Sequence, residues 1–185
     1  MDTPMLIVLA VVVVAILAVV FVYMQKQRSE RLRSRFGPEY DRLVEEGGGK
    51  RQAEAALEER AKRVEKFQIR SLSRDEHERF ARAWREEQAR FVDNPSEAVL
   101  NADRLVAEVM KARGYPVGDF EQRAADISVD HASVVRNYRV AHDIALLDQR
   151  GDANTEDLRN AMVHYRELFI DLLEERAPEH MEVRR

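Results

Sequence analysis

The sequence contains no cysteine. That excludes disulfides, thiol nucleophiles and thiolate-ligated zinc or iron–sulfur centres, and it agrees with a reducing compartment. Glycine and proline are also scarce, seven and five residues in 185, which leaves room for only a few loops. Beyond residue 24 no alternating Val/Ile/Thr run bounded by turn residues occurs, so strand signals are nearly missing and an all-α fold is expected. The chain has no G-x-G-x-x-G or Walker pattern and no G-x-S-x-G elbow, which removes the sequence support for nucleotide binding and serine catalysis. Its histidines lack the Glu-x-x-His and His-x-x-x-His spacings that build metal sites on helices.

A further absence is local. Residues 5–24 read MLIVLAVVVVAILAVVFVYM, without a charged or strongly polar side chain. Twenty helical residues rise about 30 Å, the thickness of a bilayer's hydrocarbon core. A cleaved signal peptide would have a basic leading segment, a shorter apolar run and small residues at a cleavage site. Here MDTP precedes the run, and Phe21, Val22, Tyr23 and Met24 end it. The expectation is a retained signal-anchor, with Tyr23 at the membrane interface.

What is present begins directly after this run. Lys26, Arg28, Arg31, Arg33 and Arg35 form a basic collar in which Glu30 is the sole acid. The whole chain carries a net charge of −4, so the body beyond the collar is acidic, and nucleic acid is excluded as a partner on that balance. Positive residues flanking a span stay in the cytoplasm. The expected topology is therefore a single pass, residues 1–4 outside and everything after the span in the cytoplasm. The five collar residues are expected to contact anionic lipid headgroups.

Helix signals dominate the remainder. Ser73 and Glu76 read as a capping box opening a helix to about Phe91, with Phe80, Ala83 and Trp84 in register. Asn94 and Pro95 open another that Gly114 closes. Asp119 and Gln122 read as a second capping box. A helix from Asp130 to Arg150 is expected to end at Gly151, and a last one to open with Thr155 as its N-cap and stop before Pro178. The last helix repeats apolar residues at Leu158, Ala161, Met162, Tyr165, Leu168, Phe169 and Leu172, the periodicity of a stripe buried on one face. The short link between these two helices predicts an antiparallel hairpin. Residues 50–66 are rich in Ala, Glu, Arg and Lys with little apolar face. The organisation expected is a span at 5–24, a collar and elongated helical stalk at 25–69 with hinges at 37–38 and 47–49, a helical bundle at 70–177, and a tail at 178–185.

Residues 36–42, FGPEYDR, resemble a site motif. Gly37 and Pro38 explain most of it as a helix-to-helix corner, Pro at the first turn and acids at the positive end of the dipole. The exposed sides of Phe36, Glu39 and Tyr40 are kept as a candidate partner-docking surface. Among the histidines, His131 and His142 lie about 16 Å apart along one helix and cannot share a metal. His142 and His164 fall at the same height of the hairpin and are the weak candidates for a metal or proton-relay site, weighed against a core histidine and a surface one. Ser128 and Asp130 are better read as caps than as catalytic groups.

The blocks RFGPEYDRLVEEGG, FVDNPSEAVLNADRLVAEVMKARGYPVGDFEQRAADISVDH and TEDLRNAMVHYRELFIDLLE resemble a family of uncharacterised bacterial proteins that share an N-terminal apolar segment and the same order of blocks. Members are labelled hypothetical, membrane or secreted, the last at odds with the topology given by the charges. The run Gly47-Gly48-Gly49 departs from relatives that are less glycine-rich. The resemblance implies no reaction and no catalytic residue. The function expected is therefore a protein-interaction or regulatory module at the cytoplasmic membrane, without enzymatic activity or cofactor. Its partners are the lipid bilayer and another protein, with self-association left open. The alternative is a metal-binding or enzymatic helical domain around His142 and His164.

Overall fold

Among the described residues no strand forms, and the fold is all-α. The computed structural model describes residues 3–174, with side chains from Val12 onward. The expected tail at 178–185, the stop at Pro178 and His180 lie outside the described residues, as do residues 1 and 2. Eight helices follow in order: α1 Thr3–Phe36, α2 Pro38–Glu46, α3 Lys50–Val64, α4 Arg74–Arg90, α5 Pro95–Arg113, α6 Phe120–Ile127, α7 Val135–Gln149 and α8 Thr155–Glu174. The chain divides into two compact units, Met1–Leu57 and Glu58–Arg185, so the division falls inside α3. The boundary expected from the sequence lies at 69–70.

In the first unit α1 runs unbroken for 34 residues, because neither glycine nor proline interrupts it between residues 5 and 36. It ends where Gly37 adopts φ +48° and ψ −127°, a conformation that a side chain disfavours. Pro38 then occupies the first turn of α2, where its missing N–H costs no hydrogen bond. The C-terminal part of α1 buries Ser29, Leu32 and Phe36, one face at helical spacing. The first half of α3 buries Ala53, Glu54 and Leu57. The Glu54 carboxylate accepts hydrogen bonds from Ser29 Oγ at 2.5 Å and from Tyr40 hydroxyl at 2.9 Å. One side chain of α3 thus ties α1 to α2. Within the stalk expected over residues 25–69, α2 and the first half of α3 pack with the end of α1. The alanines and single leucine of α3 make a narrow stripe that is easily overlooked among the charges, yet it suffices for close helix packing.

The second unit is a helical bundle. α7 and α8 form the expected hairpin across residues 150–154, α5 packs on α8, and α4 packs on α5. The core consists of Ala98, Ala102, Val106, Val109 and Met110 of α5, Tyr138 and Ala141 of α7, and the stripe of α8 from Leu158 to Leu172. Trp84 of α4 stacks on Phe169 at 4.6 Å between ring centroids. Burial of such side chains stabilises the bundle by about 1.5–3 kcal/mol each. Ser73 and Glu76 form the reciprocal capping box at the start of α4. Gly114 ends α5 at φ +97°. Arg113, fully buried, donates to the carbonyl of Leu172 at 3.0 Å and to that of Arg70 at 3.4 Å. It thereby ties the end of α5 to the last turn of α8.

Three local expectations are corrected. The helix expected from Asp130 begins only at Val135. Residues 128–134 form turns, held where His131 Nδ1 pairs with the Asp171 carboxylate and where Tyr115 donates to Asp130 at 3.1 Å. The cap of α8 is Asn154, whose side chain accepts from the N–H groups of Glu156 and Asp157, while the Asp157 carboxylate accepts from the Asn154 N–H. Thr155 is already inside the helix. Asp119 does cap α6, but the Gln122 side chain turns away to donate to Asp126 at 2.9 Å, so the box is half complete.

Candidate functional site

On α1, the side chains from Val12 to Met24 stand in the open: Val14, Leu17, Val19, Phe21 and Tyr23 are all more than half exposed. A folded soluble domain does not leave a continuous apolar helix uncovered. The stretch Val12–Phe36 is long and apolar enough to cross a membrane. The collar occupies the C-terminal part of that stretch, and Lys26, Arg28, Arg31, Arg33 and Arg35 are all exposed. Lys26 approaches Glu30 at 3.9 Å and Arg33 approaches Asp41 at 3.1 Å, while Arg35 lies over the Phe36 ring at 5.9 Å. Exposed contacts of this kind contribute little to stability.

The corner at residues 36–42 is different. Phe36, Glu39 and Tyr40 are buried, 0%, 3% and 6% exposed. The expectation that they present an exposed docking face is corrected. The cause is geometric: the Gly37 turn folds α2 back on α1, so the aromatic pair points into the first unit. Glu39 is held by two hydrogen bonds from Arg42, at 3.0 and 2.7 Å, and Arg42 also reaches Glu46. Burial raises the Tyr40 phenol above its ordinary pKa, and the adjacent Glu54 carboxylate adds to that rise. A protonated phenol donating to a carboxylate is a structural pin with no proton to exchange near neutrality.

In the bundle the charged and aromatic groups gather around Asp103 of α5. Arg123 of α6 donates to its Oδ2 at 3.2 Å, and Tyr138 of α7 donates to its Oδ1 at 3.3 Å. Phe120 lies 4.9 Å from the Tyr138 ring and stacks on His142 at 3.5 Å. Tyr165 of α8 meets Tyr138 edge-on at 6.0 Å. Burial first, then the Asp103 charge, pushes both tyrosine pKa values up, so both phenols stay protonated across the physiological range. His142 is pushed below the ordinary imidazole value, chiefly by burial. The set offers hydrogen-bond donors around one carboxylate and no activated nucleophile.

The two histidines singled out from the sequence have different surroundings. His142 is taken up by the Phe120 stack. His164 is half-buried, and its Nδ1 has no hydrogen-bond partner. Among the described residues no group of three or more His, Asp or Glu side chains is placed to hold a metal ion. His77 is exposed. The Ser128 hydroxyl donates to the carbonyl of Ala125 at 2.7 Å. The pairing that sequence reasoning missed is His131 with Asp171, forty residues apart, for which spacing gives no signal because the partners lie on separate elements.

Two of the surface hollows of the bundle bear on binding. A wide one of about 500 Å³ is lined by Arg70, Arg79, Phe80, Glu108 and Lys111. Arg70 there is committed to Glu76 through bonds of 2.8 and 2.6 Å. A narrower groove of about 180 Å³ lies between the end of α4 and α8, lined by Gln88 and Phe91 on one side and by Arg159, Met162, Val163 and Arg166 on the other. No family model, curated protein or solved structure matches the chain.

Proposed function

We propose that this protein is a single-pass, signal-anchored membrane protein whose helical bundle faces the bacterial cytoplasm and binds another protein as an adaptor or regulatory module. The observation that carries the reading is α1: one uninterrupted helix whose apolar segment is uncovered and is followed directly by exposed cations. An uncovered run of that length needs a lipid environment. The bias of Lys and Arg to one flank favours the cytoplasmic side for everything after Met24. Lys26, Arg28, Arg31, Arg33 and Arg35 then lie at headgroup level, where each contributes about 1 kcal/mol with anionic lipid. The interaction role is supported by a bundle whose polar cluster is engaged in internal packing and whose surface keeps an apolar groove.

A reporter active only in the cytoplasm, fused after Arg185, is expected to be active; activity of a periplasm-only reporter at the same position overturns the topology. Crosslinking of the full-length chain in intact cells is expected to yield a discrete heterologous adduct. The complete lack of one at every surface of the bundle overturns the interaction role.

A further inference from the structure

The groove between α4 and α8 has a pattern that core packing does not require. On α8 the residues Arg159, Val163, Arg166 and Ile170 follow at intervals of four, three and four, a seven-residue repeat of arginine and aliphatic side chains. They form one stripe on the helix surface. It borders the core residues Met162 and Phe169, so its first part runs along the groove. Val163 is 49% and Ile170 is 38% exposed. Phe91, half-buried at the end of α4, supplies the opposite wall with Met162 as the floor. An apolar slot whose long edge carries cations at both ends has the form of a helix-binding groove.

The charges specify the occupant. Arg159 and Arg166 are seven residues apart, about 10 Å along the axis. Arg159 is paired with Glu156 through two hydrogen bonds from its guanidinium, at 2.9 and 2.6 Å, and both side chains are exposed, so a partner's carboxylate competes with a weak surface pair. Arg166 also lines the groove, and no acid among the described residues engages it. A helix laid along the slot places acidic side chains two turns apart opposite these arginines, with aliphatic residues between them meeting Phe91, Met162 and Val163. A basic helix would set like charges against each other there.

We propose that this groove is the docking site for an amphipathic helix of a partner protein, with an aliphatic stripe and acidic residues spaced two turns apart. The proposal rests on the protein-interaction role above. The test uses the full-length chain in micelles of neutral detergent and a fluorescent peptide of about 20 residues, long enough to be helical when bound. The peptide carries leucines at helical spacing flanked by glutamates, and a second peptide has lysine at each glutamate position. The acidic peptide is expected to bind at least about tenfold more tightly than the basic one. The doubly reversed R159E/R166E variant is expected to invert that preference, the size being set by two exposed charge pairs. Both arginines are exposed, and the fluorescence of Trp84, the protein's single tryptophan, reports that the variant remains folded.

Equal binding of both peptides, binding of neither, or a preference unchanged in R159E/R166E overturns the proposal. So does dimerisation of the full-length chain that Val163→Glu abolishes, since the occupant would then be a second copy. Crosslinking in cells separates the two levels. A heterologous adduct that persists in Val163→Glu sinks the groove while leaving the interaction role standing, and the lack of any adduct in the wild-type chain sinks the role itself.

Discussion

The two units of the chain use the same residue types in opposite ways. In the first, valines and leucines of α1 stand exposed along the helix, while a carboxylate, Glu54, sits inside and draws Ser29 and Tyr40 together. In the second, apolar residues fill most of the core, with Arg113 and Asp126 as its fully buried charged residues, while Asp103 and Arg123 meet at its margin. The difference shows what holds each part. The bundle is stabilised mainly by buried area, which is non-directional and large. The clasp formed by α1, α2 and α3 has little apolar area and depends on a few directional hydrogen bonds. Its uncovered helix is long and apolar enough to cross a membrane.

The comparison is broken most severely in the bundle core. Phe169→Ala removes the ring stacked on Trp84 and is expected to cost about 3–5 kcal/mol of bundle stability, measured by denaturant unfolding followed by Trp84 fluorescence, with the clasp unaffected. The two helix-ending glycines give the next contrast. An alanine Cβ at Gly114 would lie 2.3 Å from the Gln68 carbonyl oxygen, on a left-handed backbone; at Gly37 it would meet nothing within 4 Å. Gly114→Ala is therefore expected to cost at least about 3 kcal/mol, from strain and backbone displacement together. Gly37→Ala carries strain alone, about 1–3 kcal/mol, read out as faster amide exchange in α2.

Glu54→Gln tests the clasp directly. The neutral amide keeps an acceptor but loses the charge-assisted bonds, and about 1–2 kcal/mol is expected to be lost. The effect should appear as faster amide exchange in α1 beyond Met24 and in α2, with the bundle's unfolding unchanged.

The pH response is the mildest contrast near neutrality. Tyr138 and Tyr165 have folded pKa values raised above the ordinary 10, as does Tyr40 in the clasp. Their contribution is fully present below pH 10 and is lost as pH rises beyond it, because the unfolded phenols ionise first. The bundle, with two deeply buried phenols, is expected to lose stability more steeply there than the clasp. His142 acts at the other end. Its folded pKa lies below the ordinary 6.5, so the unfolded state takes up the proton first and bundle stability falls as pH drops below 6.5. His142→Gln should flatten that limb, measured by melting temperature between pH 5 and 8.

Much of this was legible before any fold was known. The apolar run and the basic collar are composition, and composition alone selects a helix long and apolar enough to cross a membrane. The helix boundaries at Ser73, Pro95 and Gly114 were readable because caps and stops are local chemistry involving neighbouring residues. The start of α7 was not. Asp130 looked like a helix opener, yet its segment is held in turns by Asp171 and Tyr115, which no local pattern reveals. The candidate sites were least legible. His142 and His164 satisfied a helical spacing argument, and only the packed structure turned His142 onto Phe120.

The sequence by itself determined that this is a helical protein with one span-length apolar helix, basic on one flank and acidic beyond. Those properties follow from intrinsic propensity, hydrophobic length and charge, which act over a few turns of chain. Tertiary structure alone decided that Phe36, Glu39 and Tyr40 turn inward, that α3 is a packed element, and that α4 and α8 leave a groove edged with arginine. Each of these depends on residues far apart in sequence meeting in space, and burial at such meetings is set by the packing partner.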